Sequence, residues 1–118
     1  MLFETLSIGD KTIKVCTCAS INLCYWNIFH EDFMKSITSE DGTPTTAMMQ
    51  MAFVMAKFGE LGNRKAVSKL TVDDFGDWLD QFGNGELLTV LSQFEELYMA
   101  SNSSGVSSKK NSVEPSEN

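Results

Sequence analysis

Residues 44–58 have the sequence PTTAMMQMAFVMAKF, and this stretch decides the fold. Only Thr45, Thr46, Gln50 and Lys57 interrupt its apolar run, which contains four of the chain's seven methionines. Apolar residues recur at the three- and four-residue spacing of one helix face and also occupy the other faces. Because a helix that is apolar nearly all round has to be enclosed, we predict a central helix over residues 44–58.

The residues at both ends of this stretch support the helix. Thr43 is placed to cap it, and Pro44 suits the first helical position, where an N–H is not needed. Gly59 and Gly62 are candidate stop positions. The methionines have two interpretations: they fill gaps in the core of a small domain, or part of their surface contacts another chain. The stretch is too short and too interrupted to span a membrane.

A β-hairpin is predicted over residues 2–17. Apolar and polar residues alternate on both sides of Gly9 and Asp10, which interrupt the pattern as a turn would. Two strands alone are only marginally stable in water. We therefore expect the hairpin to pack on the helices.

Three further helices are predicted from apolar stripes at helical spacing. They cover residues 20–36, 71–82 and 86–99. Ser20 is expected to cap the first of these, and Thr71 begins a sequence that resembles a capping box at the start of the second.

The remaining segments are polar. Residues 59–70 contain two glycines and a basic cluster and are predicted to form a loop. Residues 101–118 are rich in Ser, Asn, Lys and Glu and are predicted to be a disordered tail. The predicted fold is α+β and mostly helical, with the hairpin packed on about four α-helices in one domain of residues 1–100.

The net charge of −7 is concentrated in one segment. Acidic and basic side chains balance in residues 1–70 and again in residues 101–118, whereas residues 71–100 contain seven acidic residues and no Lys or Arg. An acidic surface repels phosphate and anionic lipid, which argues against nucleic acid and membranes as partners. The acidic segment either attracts a basic protein partner or only keeps the chain soluble.

No arrangement of residues predicts catalysis or a bound metal. Cys16, Cys18, Cys24 and His30 are spaced unlike the familiar zinc sites, so we expect buried thiols. No activated nucleophile or Gly-rich phosphate loop is recognisable, and the acidic segment lacks the alternating ligands of a calcium loop. We therefore expect a protein without enzymatic activity or cofactor. Three cysteines and no signal segment favour a reducing cytoplasm.

In the order of its elements the chain resembles the tail assembly chaperones of long-tailed bacteriophages. The resemblance covers roughly residues 2–100 and rests on the hairpin, the helices SINLCYWNIF and MMQMAFVMAKFGE, and the pair VDDFGDWLDQF and LLTVLSQFEELY. It implies a protein that binds and solubilises the long, helical tape measure protein until tail tube subunits polymerise around it. It also implies a location in the host cytoplasm and absence from the mature virion.

The resemblance also implies further partners. In this family a ribosomal frameshift near the end of the gene often produces a longer form of the chaperone, whose extension recruits tail tube protein. A run of adenines encoding Lys109 and Lys110 would suit such slippage, and the gene sequence tests this. A homo-oligomer is compatible with the resemblance as well.

Flexible methionine and aromatic side chains suit a protein that binds many apolar stripes rather than one pocket. The predicted partner-binding residues are Met48, Met49, Met51, Phe53 and Met55, with Trp26 and Trp78 as anchors. The same residues would also make an ordinary core. Two alternative functions remain: a small virion structural protein at the head–tail junction, which purified particles would contain, and an acidic inhibitor that imitates DNA.

Overall fold

The computed structural model of the chain describes residues 3–37 and 44–107, with side chains placed up to residue 101. These residues form two β-strands and six α-helices. The elements are β1 (Phe3–Ile8), β2 (Lys11–Cys16), α1 (Ser20–Phe29), α2 (Phe33–Ile37), α3 (Thr45–Leu61), α4 (Arg64–Ser68), α5 (Val72–Leu79) and α6 (Asn84–Ser107). The α+β, mostly helical class predicted from the sequence is confirmed.

The predicted hairpin is present. β1 and β2 pair antiparallel in continuous register from Phe3 opposite Cys16 to Ile8 opposite Lys11. Gly9, the first residue of the two-residue turn, has a φ of 63°. Such a left-handed residue in the first turn position is typical of a type II′ turn, which matches the twist of the paired strands and favours glycine.

The predicted central helix is also present and is longer than expected. α3 begins at Thr45 with Pro44 as its N-cap residue, while Thr43, the predicted cap, lies outside the described residues. It ends at Gly62, which has a φ of 63° and donates its N–H to the Phe58 carbonyl at 2.8 Å. α3 contacts β2 and all five other helices, so the hydrophobic core is organised around it.

Gly59 lies inside α3 and does not end the helix, although it was one of two candidate stops. A Cβ at this position would overlap the carbonyl of Lys14 and lie 2.8 Å from the Cα of Val15. Glycine is therefore needed here because the backbone of α3 passes directly against β2.

The single helix predicted over residues 20–36 is two helices. His30 adopts a left-handed conformation with a φ of 58° and donates its N–H to the Trp26 carbonyl at 2.8 Å, which ends α1. Asp32 then accepts a hydrogen bond from the backbone N–H of Met34 at 3.0 Å and starts α2. The side-chain cap competes with a continuous helix, which apolar spacing alone does not reveal.

The prediction of a loop over residues 59–70 was wrong. The segment contains the end of α3 and the short helix α4. Asn63 caps α4, since its Oδ1 accepts the N–H groups of Lys65 at 2.8 Å and Ala66 at 3.1 Å. Val67 anchors α4 in the core, with no exposed surface.

The last two helices agree with the sequence at their start and differ at their end. Thr71 and Asp74 form the predicted capping box: the Thr71 N–H donates to Asp74 Oδ2 at 2.8 Å, and the Asp74 N–H donates to Thr71 Oγ1 at 3.3 Å. α6 continues to Ser107, so the first part of the predicted tail is helical. Residues 108–118 lie outside the described part.

None of the described helices combines the length and apolar character that crossing a membrane requires.

Candidate protein-binding surface

Most of the predicted partner-binding side chains lie in the core. The fully or almost fully buried ones are Met48, Met51, Phe53, Met55 and Trp78. Met49 is half-buried against the same core. Trp26 is 50% exposed. Trp26 is therefore the one residue of the predicted set that presents a large surface to solvent.

The buried members pack on one another and on neighbouring rings. Phe53 has ring centroids of Phe29, Phe75 and Trp78 within 6.3 Å, all near edge-to-face. Trp78 also contacts Phe82 at 5.1 Å. Such aromatic pairs add stability beyond the area that they bury. These side chains hold α1, α3 and α5 together and have no surface to offer a partner in this conformation.

The outer face of α1 carries exposed apolar residues. Leu23 is 46% exposed, and Trp26 lies one turn further along the same helix. The opposite face of α1 is buried through Ile21, Cys24, Tyr25 and Ile28. Sequence reasoning named Trp26 and missed Leu23. The signal was available, because both residues lie outside the helical stripe that predicted the buried face.

Side-chain hydrogen bonds fix α1 on three neighbouring helices. Tyr25 donates from its hydroxyl to Gln50 Oε1 of α3 at 2.7 Å, and Asn27 donates to Ser68 Oγ of α4 at 3.0 Å. The Tyr98 hydroxyl of α6 donates to Asn22 Oδ1. Burial, with a smaller contribution from the negative charge of Glu31, raises the pKa of Tyr25 to about 12. The outer face is thus displayed on a helix that is anchored on three sides.

A shallow depression adjoins Trp26 at the end of α1. Its other lining residues are polar or charged: His30, Glu31, Asp32, Lys35 and Ser36. The left-handed residue His30 makes this depression, since it turns the chain so that α2 follows beside Trp26 rather than extending α1. An exposed tryptophan therefore lies beside polar and charged side chains, and aromatic residues are enriched at protein interfaces.

The acidic segment identified from the sequence forms part of the surface. Asp73, Asp77 and Asp80 lie on α5 or at its end and are exposed. α5 lies next to α1, because the ring of Phe75 packs against that of Phe29 at 5.3 Å. An exposed apolar face and an acidic helix are therefore carried by neighbouring elements.

A second concave region lies between β2, α3 and α5. Its floor includes Ile13 and Phe82, and its rim carries lysines. Lys57 forms an ion pair with Glu60 at 3.2 Å, and the Nζ atom of Lys14 lies 4.5 Å from the ring centroid of Phe3. Two of the rim cations thus already have partners within the chain.

The cysteines do not form a recognisable site. Cys16 and Cys24 are buried, Cys18 is half-buried, and all three are free thiols. Burial raises the pKa of Cys16 to about 11 and raises that of Cys24. Within residues 3–37 and 44–107 no group of three or more His, Cys, Asp or Glu side chains is arranged to hold a metal ion.

Comparisons with known proteins do not add to this geometry, because no family model, no curated protein and no solved structure matches the chain. The functional conclusion therefore depends on the surface itself and on the order of elements in the sequence.

Proposed function

We propose that the chain is a non-catalytic tail assembly chaperone of a long-tailed bacteriophage, which binds and solubilises the tape measure protein in the host cytoplasm and promotes tail tube assembly. The outer face of α1 is its client surface, with Trp26 as the anchor and Leu23 beside it. A frameshifted longer form and the tail tube protein are its further partners in assembly, and the mature virion does not contain it.

The observation that carries this proposal is the half-exposed Trp26 on a helix whose position is fixed. Tryptophan is enriched at protein interfaces and contributes more binding energy there than most residues. Leu23 extends the apolar surface by one turn. Apolar side chains of a tape measure helix can cover both residues without needing one fixed sequence, which suits a client with many similar stripes.

The neighbouring acidic helix supports the same function. A lysine-rich client would be attracted by Asp73, Asp77 and Asp80, which are exposed on α5 or at its end; α5 packs against α1 through Phe75. Such attraction mainly raises the association rate and weakens as salt is added. We therefore expect client binding to slow at high ionic strength while the apolar contact remains.

Co-expression with the tape measure protein of the same phage tests the proposal. We expect the tape measure protein to be soluble with the parent chain and to precipitate with Trp26→Ala. Leu88→Ala is the matched control, because Leu88 is 44% exposed on α6, a different element. If the parent chain leaves the tape measure protein as insoluble as it is alone, the chaperone function is wrong.

Mass spectrometry of purified phage particles separates the chaperone from the virion structural protein. The chaperone function requires that peptides of this chain be missing from particles whose tape measure peptides are readily detected. Their presence in a stoichiometric amount would favour a head–tail connector instead.

A further inference from the structure

The two strands of the hairpin differ in what covers their outer edges. Ile8 and Lys11 close the two-residue turn and therefore exchange hydrogen bonds across the ladder. Such bonds alternate along an antiparallel pair, so every second residue of each strand directs its N–H and C=O away from the partner strand. On β1 these outward residues are Phe3, Thr5 and Ser7.

The outer edge of β2 is covered by α3. Lys14 is one of its outward residues by the same alternation, and its carbonyl lies where a Cβ on Gly59 would be. The close approach that requires glycine in α3 therefore closes this edge. No further strand can pair with β2 at Lys14 unless α3 moves.

α6 packs against β1, but among the described residues no contact like that of Gly59 closes the outer edge of β1. Phe3, Thr5 and Ser7 are exposed, and within the described residues none of their backbone groups has a hydrogen-bond partner outside the ladder. The strand has few of the features that usually protect an edge, and Glu4 is its one charged residue. It contains no proline and no lysine, and its six residues pair without a bulge.

We propose that β1 pairs antiparallel with β1 of a second copy of this chain, around a two-fold axis at Thr5. This register places Phe3 opposite Ser7 of the second copy and Thr5 opposite Thr5. All outward N–H and C=O groups of the three residues then find partners. Two marginal two-stranded hairpins become one four-stranded sheet.

Charge and apolar contacts favour this register, with a second copy of the chain as the partner at the β1 edge. Glu4 is the only charged residue of β1 and faces Leu6 of the second copy, so no two like charges are directly opposite. A register centred on Glu4 would place two carboxylates opposite each other and leave Ser7 unpaired. The 39% exposed ring of Phe3 gains cover from the neighbouring strand.

A proline substitution tests the pairing. Thr5→Pro removes an N–H that points outward, so it blocks the edge without removing a hydrogen bond of the hairpin. Thr5→Ala is the matched control, because it changes the side chain and keeps the N–H. We expect the parent and Thr5→Ala to have twice the mass of one chain in light scattering after size exclusion, and Thr5→Pro to have the mass of one.

Cysteine cross-linking gives a test that does not depend on how Thr5→Pro folds. At the two-fold axis, Thr5→Cys brings two introduced thiols within disulfide distance, whereas Ser7→Cys places them several residues apart along the strands. Mild oxidation should convert Thr5→Cys to a covalent dimer and leave Ser7→Cys and the parent as single chains on a denaturing gel.

Two results would overturn the inference. One is a parent chain with the mass of a single copy over the accessible concentration range. The other is equal cross-linking of the Thr5→Cys and Ser7→Cys variants. Both measurements use the isolated chain, so their outcome is independent of the proposed client.

Discussion

α1 and α3 are adjacent helices with similar apolar content but different exposure to solvent. α3 contacts β2 and every other helix, and it buries ten of its seventeen residues. α1 packs on α2, α3 and α4 and also contacts α5 through Phe29 and α6 through Asn22, but it exposes Leu23 and Trp26 on its outer face. Apolar composition therefore does not tell an enclosed helix from one with an exposed apolar face. Whether neighbouring elements cover every face of the helix does.

The difference also separates the two tryptophans of the chain. Trp78 is 4% exposed and packs on Phe53 and Phe82, whereas Trp26 borders a polar depression. We expect Trp78 to determine stability and Trp26 to determine binding. Each of the following experiments tests that division, beginning with the largest expected effect.

Truncation in α3 should cost the most stability. Phe53→Ala removes a ring that contacts three other aromatic rings. Removing a buried phenylalanine typically lowers the free energy of unfolding by about 3–5 kcal/mol. Urea unfolding followed by circular dichroism measures this loss, and Leu88→Ala is the exposed control, expected to change stability by about 0.5 kcal/mol or less. A stable Phe53→Ala protein that no longer binds its client would show that α3 is the binding helix.

The contact between α3 and β2 should give the next largest effect. Gly59→Ala forces a methyl group into the backbone of Lys14 and Val15, and overpacking of this kind typically costs about 1–3 kcal/mol. Gly76→Ala is the matched control, since nothing lies within 4 Å of a Cβ there and alanine favours a helix. It should stabilise the protein by about 0.5–1 kcal/mol. If Gly59→Ala and Gly76→Ala changed the thermal unfolding temperature equally, the close approach of α3 to β2 at Gly59 would be contradicted.

Much of the fold could be predicted from local patterns. The hairpin, the central helix and the Thr71 capping box depend on turn residues, periodicity and caps that are close in sequence. Two of the errors have local causes too. The break at His30 and the cap at Asn63 each rest on one side chain or one left-handed residue, and the apolar stripe continues across the break without showing it.

Which apolar side chains are exposed was harder to predict, for a different reason. Met48, Met51 and Met55 have the composition of an adaptable interface, but whether they are exposed depends on long-range packing by β2, α5 and α6. The pattern of one helix does not contain that information. Trp26 was named because it is a tryptophan. The exposure of Leu23 could have been predicted, because Leu23 lies outside the apolar stripe that marks the buried face of α1.

The hydrogen bond that joins α1 to α3 should contribute less to stability, and its contribution should depend on pH. Tyr25→Phe removes the bond from α1 to Gln50 of α3 and leaves a polar oxygen without this partner. We expect a loss of about 1 kcal/mol at neutral pH, measured by urea unfolding.

The sign of the pH dependence follows from the raised pKa of Tyr25, which burial and, to a smaller extent, Glu31 bring to about 12 from an ordinary value of 10.0. The unfolded chain ionises first, so the contribution of Tyr25 to stability is complete below pH 10 and is lost as the pH rises toward 12. The difference between parent and Tyr25→Phe should therefore shrink over this range. A difference that stays constant to pH 12 would mean that Tyr25 ionises equally in both states.

The smallest effect on stability should come from Trp26→Ala, although it removes the largest side-chain type. Half of the ring is already in water, and its neighbours in the depression are polar, so little packing is lost and the free energy of unfolding should change by about 0.5 kcal/mol or less. Acrylamide quenching of fluorescence provides a direct check. Trp26→Phe, which leaves Trp78, should be quenched far less than the parent, because the remaining ring is buried. In the parent, quenching should decrease when the tape measure protein is bound. If quenching of the parent is unchanged in the complex, the client does not cover Trp26, and α1 does not have the role that distinguishes it here from α3.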